Sequence, residues 1–220
     1  MKPRFSNQRT HALTITEVLV IVVAVCLLAL VALAQSEDSQ AKNQIIGCVN
    51  NLKQIGLAYR VWEGDHGDKF PQHIPTRKGG AMEPVALGNA ASIFQVMSNE
   101  LWTPRVLICP ADADRFVANG FVSGFDNSHV SYFAGVDADD DKPAMFLSGD
   151  DNFAIDGVPV KSGLLLLATN APVSWTAARH VNQGNIGRAD GSVATSSSNW
   201  SPLTQLLAET GVATNRLAIP

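Results

Sequence analysis

The sequence is poor in charged residues. Only 16% of its residues are Asp, Glu, Lys or Arg, whereas a soluble domain typically carries about 25%. The net charge is −4 and no segment forms a basic stripe, so we expect no nucleic-acid partner. Hydrophobic residues make up 46% of the chain, and the longest apolar run lies near its beginning.

Motifs of common enzyme classes are also lacking. The chain has no nucleophile elbow, no His-Glu-x-x-His zinc motif and no phosphate-binding loop. His180, Asp190 and Ser192 are the closest approach to a hydrolase set, and an anchored hydrolase using His180 and Asp190 is an alternative. A turn at Asp190-Gly191 explains the aspartate without catalysis. We therefore expect no catalytic residue and no enzymatic activity.

The beginning of the chain has the charge pattern of a membrane segment. Residues 1–12 carry three basic side chains and no acidic one, and residues 18–34 form a run of 17 residues without a charge. A helix crossing a bilayer needs about 20 apolar residues, with about 17 at the short end. Because basic residues precede the run and Glu37 and Asp38 follow it, the N-terminus is expected in the cytoplasm. The prediction is a single-pass membrane protein with a transmembrane helix over residues 13–34 and a head outside the cytoplasm.

Two ordinary alternatives exist for this segment. One is a secretory signal peptide cleaved after Ala34, since Ala32-Leu33-Ala34 is a small-residue cleavage site. The other is a plain membrane anchor. Neither alternative explains Glu17, a carboxylate at the leading edge of the apolar run. Because a charge near the bilayer is costly, we take Glu17 as a functional residue.

The residues around Glu17 resemble a known processing site. The segment Ala12-Leu13-Thr14-Ile15-Thr16-Glu17 is similar to the cleavage and methylation site of type IV prepilins. The resemblance implies that residues 1–12 are a leader, that prepilin peptidase cuts between Ala12 and Leu13, and that the new amine of Leu13 is methylated. It also implies that Glu17, fifth in the mature chain, pairs with the N-terminal amine of a neighbouring subunit.

An amphipathic helix is predicted after the apolar run, over residues 35–63. Its apolar residues recur at helical spacing and end before Gly64 and Pro71. They are Ile45, Cys48, Val49, Leu52, Ile55, Tyr59 and Trp62. The stretch from Cys48 to Ala58 resembles prepilin-like proteins abundant in planctomycetes and verrucomicrobia, which carry a cysteine and then Asn-Leu-Lys-Gln-Ile-Gly.

Residues 64–220 alternate short apolar runs with Gly, Asp and Asn, which indicates short strands and loops. We expect one buried central strand at residues 163–169 and a hairpin turn at Asp190-Gly191. Nine residues separate His180 from Asp190, and this His-x9-Asp-Gly spacing resembles the C-terminal signature of the same prepilin-like family. The predicted fold is α+β and pilin-like: a long helical spine, transmembrane in its first half, packed on a small antiparallel sheet.

Cys48 and Cys109 are expected outside the cytoplasm, where disulfides persist. A bridge between them would close a loop of about 60 residues and contribute about 4 kcal/mol in the chain-entropy model. Two buried thiols are the alternative, and the sequence leaves both open. Cys26 lies in the apolar run and is read as a small hydrophobic residue.

An acidic group in the head offers oxygen ligands. Asp137, Asp139 and Asp141, with Asp150 and Asp151 nearby, are candidates for calcium, which related pseudopilins bind in a loop. The spacing lacks the glycine and distal glutamate of an EF-hand, so a solvated loop without any cofactor is the simpler interpretation.

The resemblance to prepilins implies a structural subunit of a type IV pilus or of a type II secretion pseudopilus, anchored in the bacterial inner membrane with a periplasmic head. Its expected partners are copies of itself or other pilin-like subunits, prepilin peptidase, the inner-membrane assembly machinery and membrane lipid. The alternative is an extracytoplasmic binding module, tethered by the helix or secreted. The sequence does not choose between a pilus and a pseudopilus.

Overall fold

The computed structural model describes residues 14–198 and 202–220, and it leaves the side chains of residues 29–38 undescribed. The chain divides into two compact units, Met1–Gln40 and Ala41–Pro220. The predicted leader and the cleavage site between Ala12 and Leu13 lie outside the described residues.

The first helix, α1, covers Ile15–Asp65. Its start is capped by its own side chains, because Glu17 Oε2 accepts hydrogen bonds from the Thr14 N–H and the Thr14 hydroxyl, each at 2.8 Å. Apolar side chains follow Glu17 on every side of the helix, and those of residues 18–28 are exposed.

The predicted transmembrane spine is wrong. Within the part of the chain that the structure describes, no helix has both the length and the apolar character needed to cross a bilayer. This finding overturns the predicted fold class, whose spine was transmembrane over residues 13–34, and the predicted single-pass inner-membrane location. The fold is mixed α and β with antiparallel sheets.

In the second unit, α1 buries one face. Cys48, Leu52, Ile55, Tyr59 and Trp62 are all buried there, at spacings of three, four or seven residues that bring them to one side of a helix. Three short helices supply further core residues, and they are α2 (Met82–Ala86), α3 (Ala91–Val96) and α4 (Ser98–Leu101).

Nine strands and a last helix complete the described part of the second unit. They are β1 (Tyr132–Gly135), β2 (Phe146–Asp150), β3 (Phe153–Ile155), β4 (Val158–Pro159), β5 (Gly163–Ala168), β6 (Val173–Trp175), β7 (Gln183–Arg188), β8 (Val193–Ser197), α5 (Leu203–Glu209) and β9 (Thr214–Ile219). Six strands form one antiparallel sheet in the order β5-β9-β1-β2-β7-β8. The other three form a small antiparallel sheet in the order β4-β3-β6.

The leucine-rich strand β5 lies at an edge of the large sheet, so the prediction of a buried central strand at residues 163–169 is wrong. Among the described strands, β5 pairs with β9 alone. Its side chains alternate as in a half-buried strand: Leu167 is buried, whereas Leu164 and Leu166 are 40% and 64% exposed.

The large sheet has a separate core on each face. Tyr132 and Ala134 of β1 join the core that contains the buried face of α1. Phe133, between them, belongs to the opposite core with α5 and the aromatic ring of Trp175. Neighbouring side chains of a strand point to opposite faces of the sheet. Polar residues at the ends of β1 and β2 therefore lie on the face that packs against α1.

Candidate metal centre

Four residues from distant parts of the chain meet between α1 and the large sheet. Cys48 lies on α1, Cys109 follows the turn of 3-10 helix at Pro104–Leu107, Asp150 ends β2, and His180 lies in the loop between β6 and β7. One ligand-type atom of each residue lies within 4.8 Å of the other three. All four residues are buried.

The sulfur and nitrogen atoms form a tight triangle. The two Sγ atoms are 2.7 Å apart, and His180 Nε2 lies 3.2 Å from each of them. Asp150 Oδ2 lies 3.8 Å from His180 Nε2. Both cysteines are free thiols.

A second set of groups holds these side chains in place. The Asn185 N–H and the Asn185 Nδ2 group donate hydrogen bonds to Asp150 Oδ2, at 2.8 and 2.9 Å. The Tyr132 hydroxyl donates to Cys48 Sγ at 3.4 Å, and the Ala111 N–H donates to Cys109 Sγ at 3.4 Å. Asp150 Oδ1 and His180 Nδ1 have no hydrogen-bond partner among the described residues.

The protonation of the four groups is coupled. Burial raises the pKa of Asp150 to about 6. Hydrogen bonds from Cys48 and His180 outweigh burial and lower the pKa of Cys109 to about 5, while the bond to Cys109 and burial raise the pKa of Cys48. Burial lowers the pKa of His180, but the bond to Cys109 and the charge of Asp150 give a net increase. The contacts within the cluster therefore favour deprotonation of Cys109 and protonation of His180.

The loop that carries His180 has an unusual backbone. His180, Val181 and Asn182 have φ angles of 52°, 49° and 60°, in the left-handed region that residues with a Cβ rarely adopt. Such conformations cost about 1–3 kcal/mol each and persist where the surrounding structure imposes them. The imidazole is buried as a result, whereas the Val181 side chain is exposed.

These four residues could hold a metal ion. Two thiolates, one imidazole and one carboxylate are donors that transition metals such as zinc accept, whereas calcium takes oxygen ligands alone. The cluster is therefore not specific for calcium. Its other chemical option is a bond between the two sulfur atoms.

The structure brings together some of the sequence-predicted residues and not others. Cys48, Cys109 and His180 share the cluster. Cys48 and Cys109 are free thiols in the structure, and the disulfide between them, one of the two alternatives left open by the sequence, stays a hypothesis. Asp190 lies in the β7–β8 hairpin loop, where its carboxylate accepts a hydrogen bond from the Ser192 N–H at 2.8 Å. The sequence analysis did not place Asp150 in a cluster with cysteine and histidine, because along the chain Asp150 stands near the other acidic residues of the head.

The acidic residues considered for calcium have other contacts. Asp137 forms an ion pair with Arg216, and Asp139 lies 3.4 Å from the imidazole of His73. The Asp141 N–H donates to Asp139 Oδ1 at 3.4 Å. Among the described residues, Asp137, Asp139 and Asp141 do not form a group that could hold a metal ion.

A second polar arrangement lies next to the cluster, at a cavity of ≈ 630 Å³. Arg115 contacts Asp112 at 3.0 Å and Asp151 at 2.7 Å. Arg179 contacts Asp112 at 3.2 Å and also pairs with Asp151. Two arginines and two aspartates thus form a closed ring of ion pairs in the cavity wall.

Comparisons of the chain with protein-family models, with curated proteins and with solved structures found no match.

Proposed function

We propose that this chain is a non-enzymatic structural subunit of a pilus or pseudopilus-like assembly, and that its copies associate through residues 15–28 of α1. One observation carries the proposal. The ten large apolar side chains of this segment are all exposed, from 45% for Val18 to 86% for Ile15.

The pattern of exposure favours helix partners on several sides. A helix on the surface of a globular protein has one apolar stripe, whereas residues 18–23 are apolar without interruption and cover the whole circumference. Exposed apolar surface of this extent marks an interaction site. Identical helices packed around one another, as in a filament, would cover every side. Glu17 is the one charged side chain in residues 14–28, so the segment offers little for a charged partner of another kind to recognise.

Glu17 would set the register of the packed helices. Hydrogen bonds from the Thr14 backbone and hydroxyl lower the pKa of Glu17, so the carboxylate is charged at neutral pH. A carboxylate covered by apolar helices needs a cationic partner. The amine produced by prepilin peptidase between Ala12 and Leu13 of a neighbouring copy would supply it. Prepilin peptidase and the assembly machinery are partners under the same proposal.

The proposal is tested by coexpressing the full chain with a prepilin peptidase and its assembly proteins. We expect a mature chain that begins at methylated Leu13 and sediments as filaments. Glu17→Gln should reduce the filament fraction at least about tenfold, because it removes one partner of a buried pair. Asp65→Asn at the other end of α1 is the control and should assemble normally. A mature chain beginning at Gln35, or unchanged assembly of Glu17→Gln, would refute the proposal.

A second candidate function, a binding module, is favoured by the cavity of ≈ 630 Å³ beside Arg115 and Arg179. Its size lies within the range of small-molecule sites, about 300–1,000 Å³. A chain that binds a ligand as a monomer and does not assemble would support this function instead.

A further inference from the structure

We propose that Cys48, Cys109, His180 and Asp150 bind one zinc ion, which fastens α1 to the large sheet and to two loops of the same unit. This site does not depend on the proposed assembly, because all four residues lie in the unit Ala41–Pro220.

The donor set is the first reason for zinc. Cysteine sulfur, histidine nitrogen and aspartate oxygen are the usual ligands of protein-bound zinc, most often four in number and tetrahedral. Here the four donors come from four separate segments, and none is replaced by solvent because all are buried. Four protein ligands without an open position are typical of structural rather than catalytic zinc sites.

The distances require a small expansion. Zinc lies about 2.3 Å from each thiolate, which places two sulfur atoms of a tetrahedral site about 3.8 Å apart. The observed Sγ–Sγ distance of 2.7 Å must therefore increase by about 1 Å. We expect rotation about the Cα–Cβ bonds of Cys48 and Cys109 to provide this change.

Unused bonding capacity is the second reason. Asp150 is buried and its Oδ1 atom has no hydrogen-bond partner among the described residues, although a buried carboxylate needs compensation. A zinc ion would supply it. A disulfide between Cys48 and Cys109 would leave Asp150 Oδ1 without a partner. It would also leave the strained backbone of His180 unexplained.

The surroundings complete the site as those of zinc ligands usually do. Metal-bound carboxylates are themselves held by hydrogen bonds, and Asn185 holds Asp150 with two. The Tyr132 hydroxyl and the Ala111 N–H donate to the two sulfur atoms, which stabilises thiolates. Two thiolates, one carboxylate and one zinc ion leave a net charge of −1, and the positive charge of Arg179 acts on Asp150.

The decisive measurement is the zinc content of the full chain, purified with a thiol reductant and without chelators. We expect about one zinc ion per chain, and cobalt(II) substitution should give a thiolate-to-cobalt absorption band. Cys48→Ser and Cys109→Ser should lose the band and weaken zinc binding at least about tenfold. Cys26→Ser removes the third cysteine, which lies outside the cluster, and is the matched control that should keep both.

Wild-type protein alone also decides the question, in case a variant does not fold. Chelation should lower the thermal unfolding temperature, and zinc but not calcium should restore it. Failure of the reduced wild-type chain to take up zinc would overturn the proposal. A native protein whose mass is lower by two hydrogen atoms, with Cys48 joined to Cys109, would also overturn the zinc proposal, because it would establish the disulfide. Neither result bears on filament formation, so the two proposals fail separately.

Discussion

Asn185 donates two hydrogen bonds to one oxygen of Asp150, from its backbone N–H at 2.8 Å and from its side-chain amide at 2.9 Å. The two residues meet because β2 and β7 are neighbours in the large sheet. Since both are buried, the pair fixes the position of the one carboxylate in the cysteine and histidine cluster.

Asn185→Ala is therefore expected to destabilise the protein by about 1–3 kcal/mol, because it removes one of the two donors to a buried carboxylate. The free energy of unfolding in urea measures the effect. Asn50→Ala, at an exposed position of α1, is the control and should change the stability by less than about 0.5 kcal/mol. Equal effects of the two changes would contradict the assigned role of Asn185.

Removing the hydroxyl group should change the stability of the protein differently at the two buried tyrosines. The Tyr59 hydroxyl is buried without a hydrogen-bond partner among the described residues, whereas its ring packs edge-on against Phe70. Tyr59→Phe should leave the stability unchanged or increase it by about 1 kcal/mol. Tyr132→Phe should destabilise by about 1 kcal/mol or more, because the Tyr132 hydroxyl accepts from Asn51 and donates to Cys48. Thermal unfolding of the two variants side by side tests the contrast.

The ring of ion pairs at the cavity predicts a loss of stability in acid. Burial raises the pKa of Asp112, but the charge of Arg179 and the Ser131 hydroxyl outweigh it, so the pKa falls below its ordinary value of 3.8. The unfolded chain therefore takes up this proton first. The stabilisation is complete above pH 3.8 and is lost as the pH falls from there through the lower pKa of the folded state.

Unfolding free energies measured between about pH 6 and about pH 3 check this prediction. Asp112→Asn should flatten the acid slope of the wild-type curve. Ser131→Ala removes only one donor, whose hydroxyl lies 2.8 Å from Asp112, and should give an intermediate slope. Parallel curves for all three proteins would show that Asp112 does not carry the effect.

The sequence was informative where the relevant physics is local. The spacing of Cys48, Leu52 and Ile55 predicted the face of α1 that is buried, since helical periodicity involves only near neighbours. The leucines of β5 indicated an apolar strand but not its place at the edge, because strand order depends on pairing with β9, far along the chain.

The candidate metal centre was predictable only in part for the same reason. The question of whether Cys48 and Cys109 meet could be raised from the sequence but not answered. His180 was noted for its spacing to Asp190-Gly191, yet its contacts are with Cys48 and Cys109. Asp150 joins them only because β2 ends beside α1, which no local pattern indicates.

The position of β9 affects the order in which the protein can form during synthesis. β9 lies between β5 and β1 in the sheet, yet it follows all the other strands along the chain. Until residues 214–219 leave the ribosome, β5 has no partner strand and β1 has an open edge. Pairing between such distant segments is slow, and open strand edges attract other chains. The open edges of β5 and β1 therefore remain available to other chains until β9 pairs with both strands.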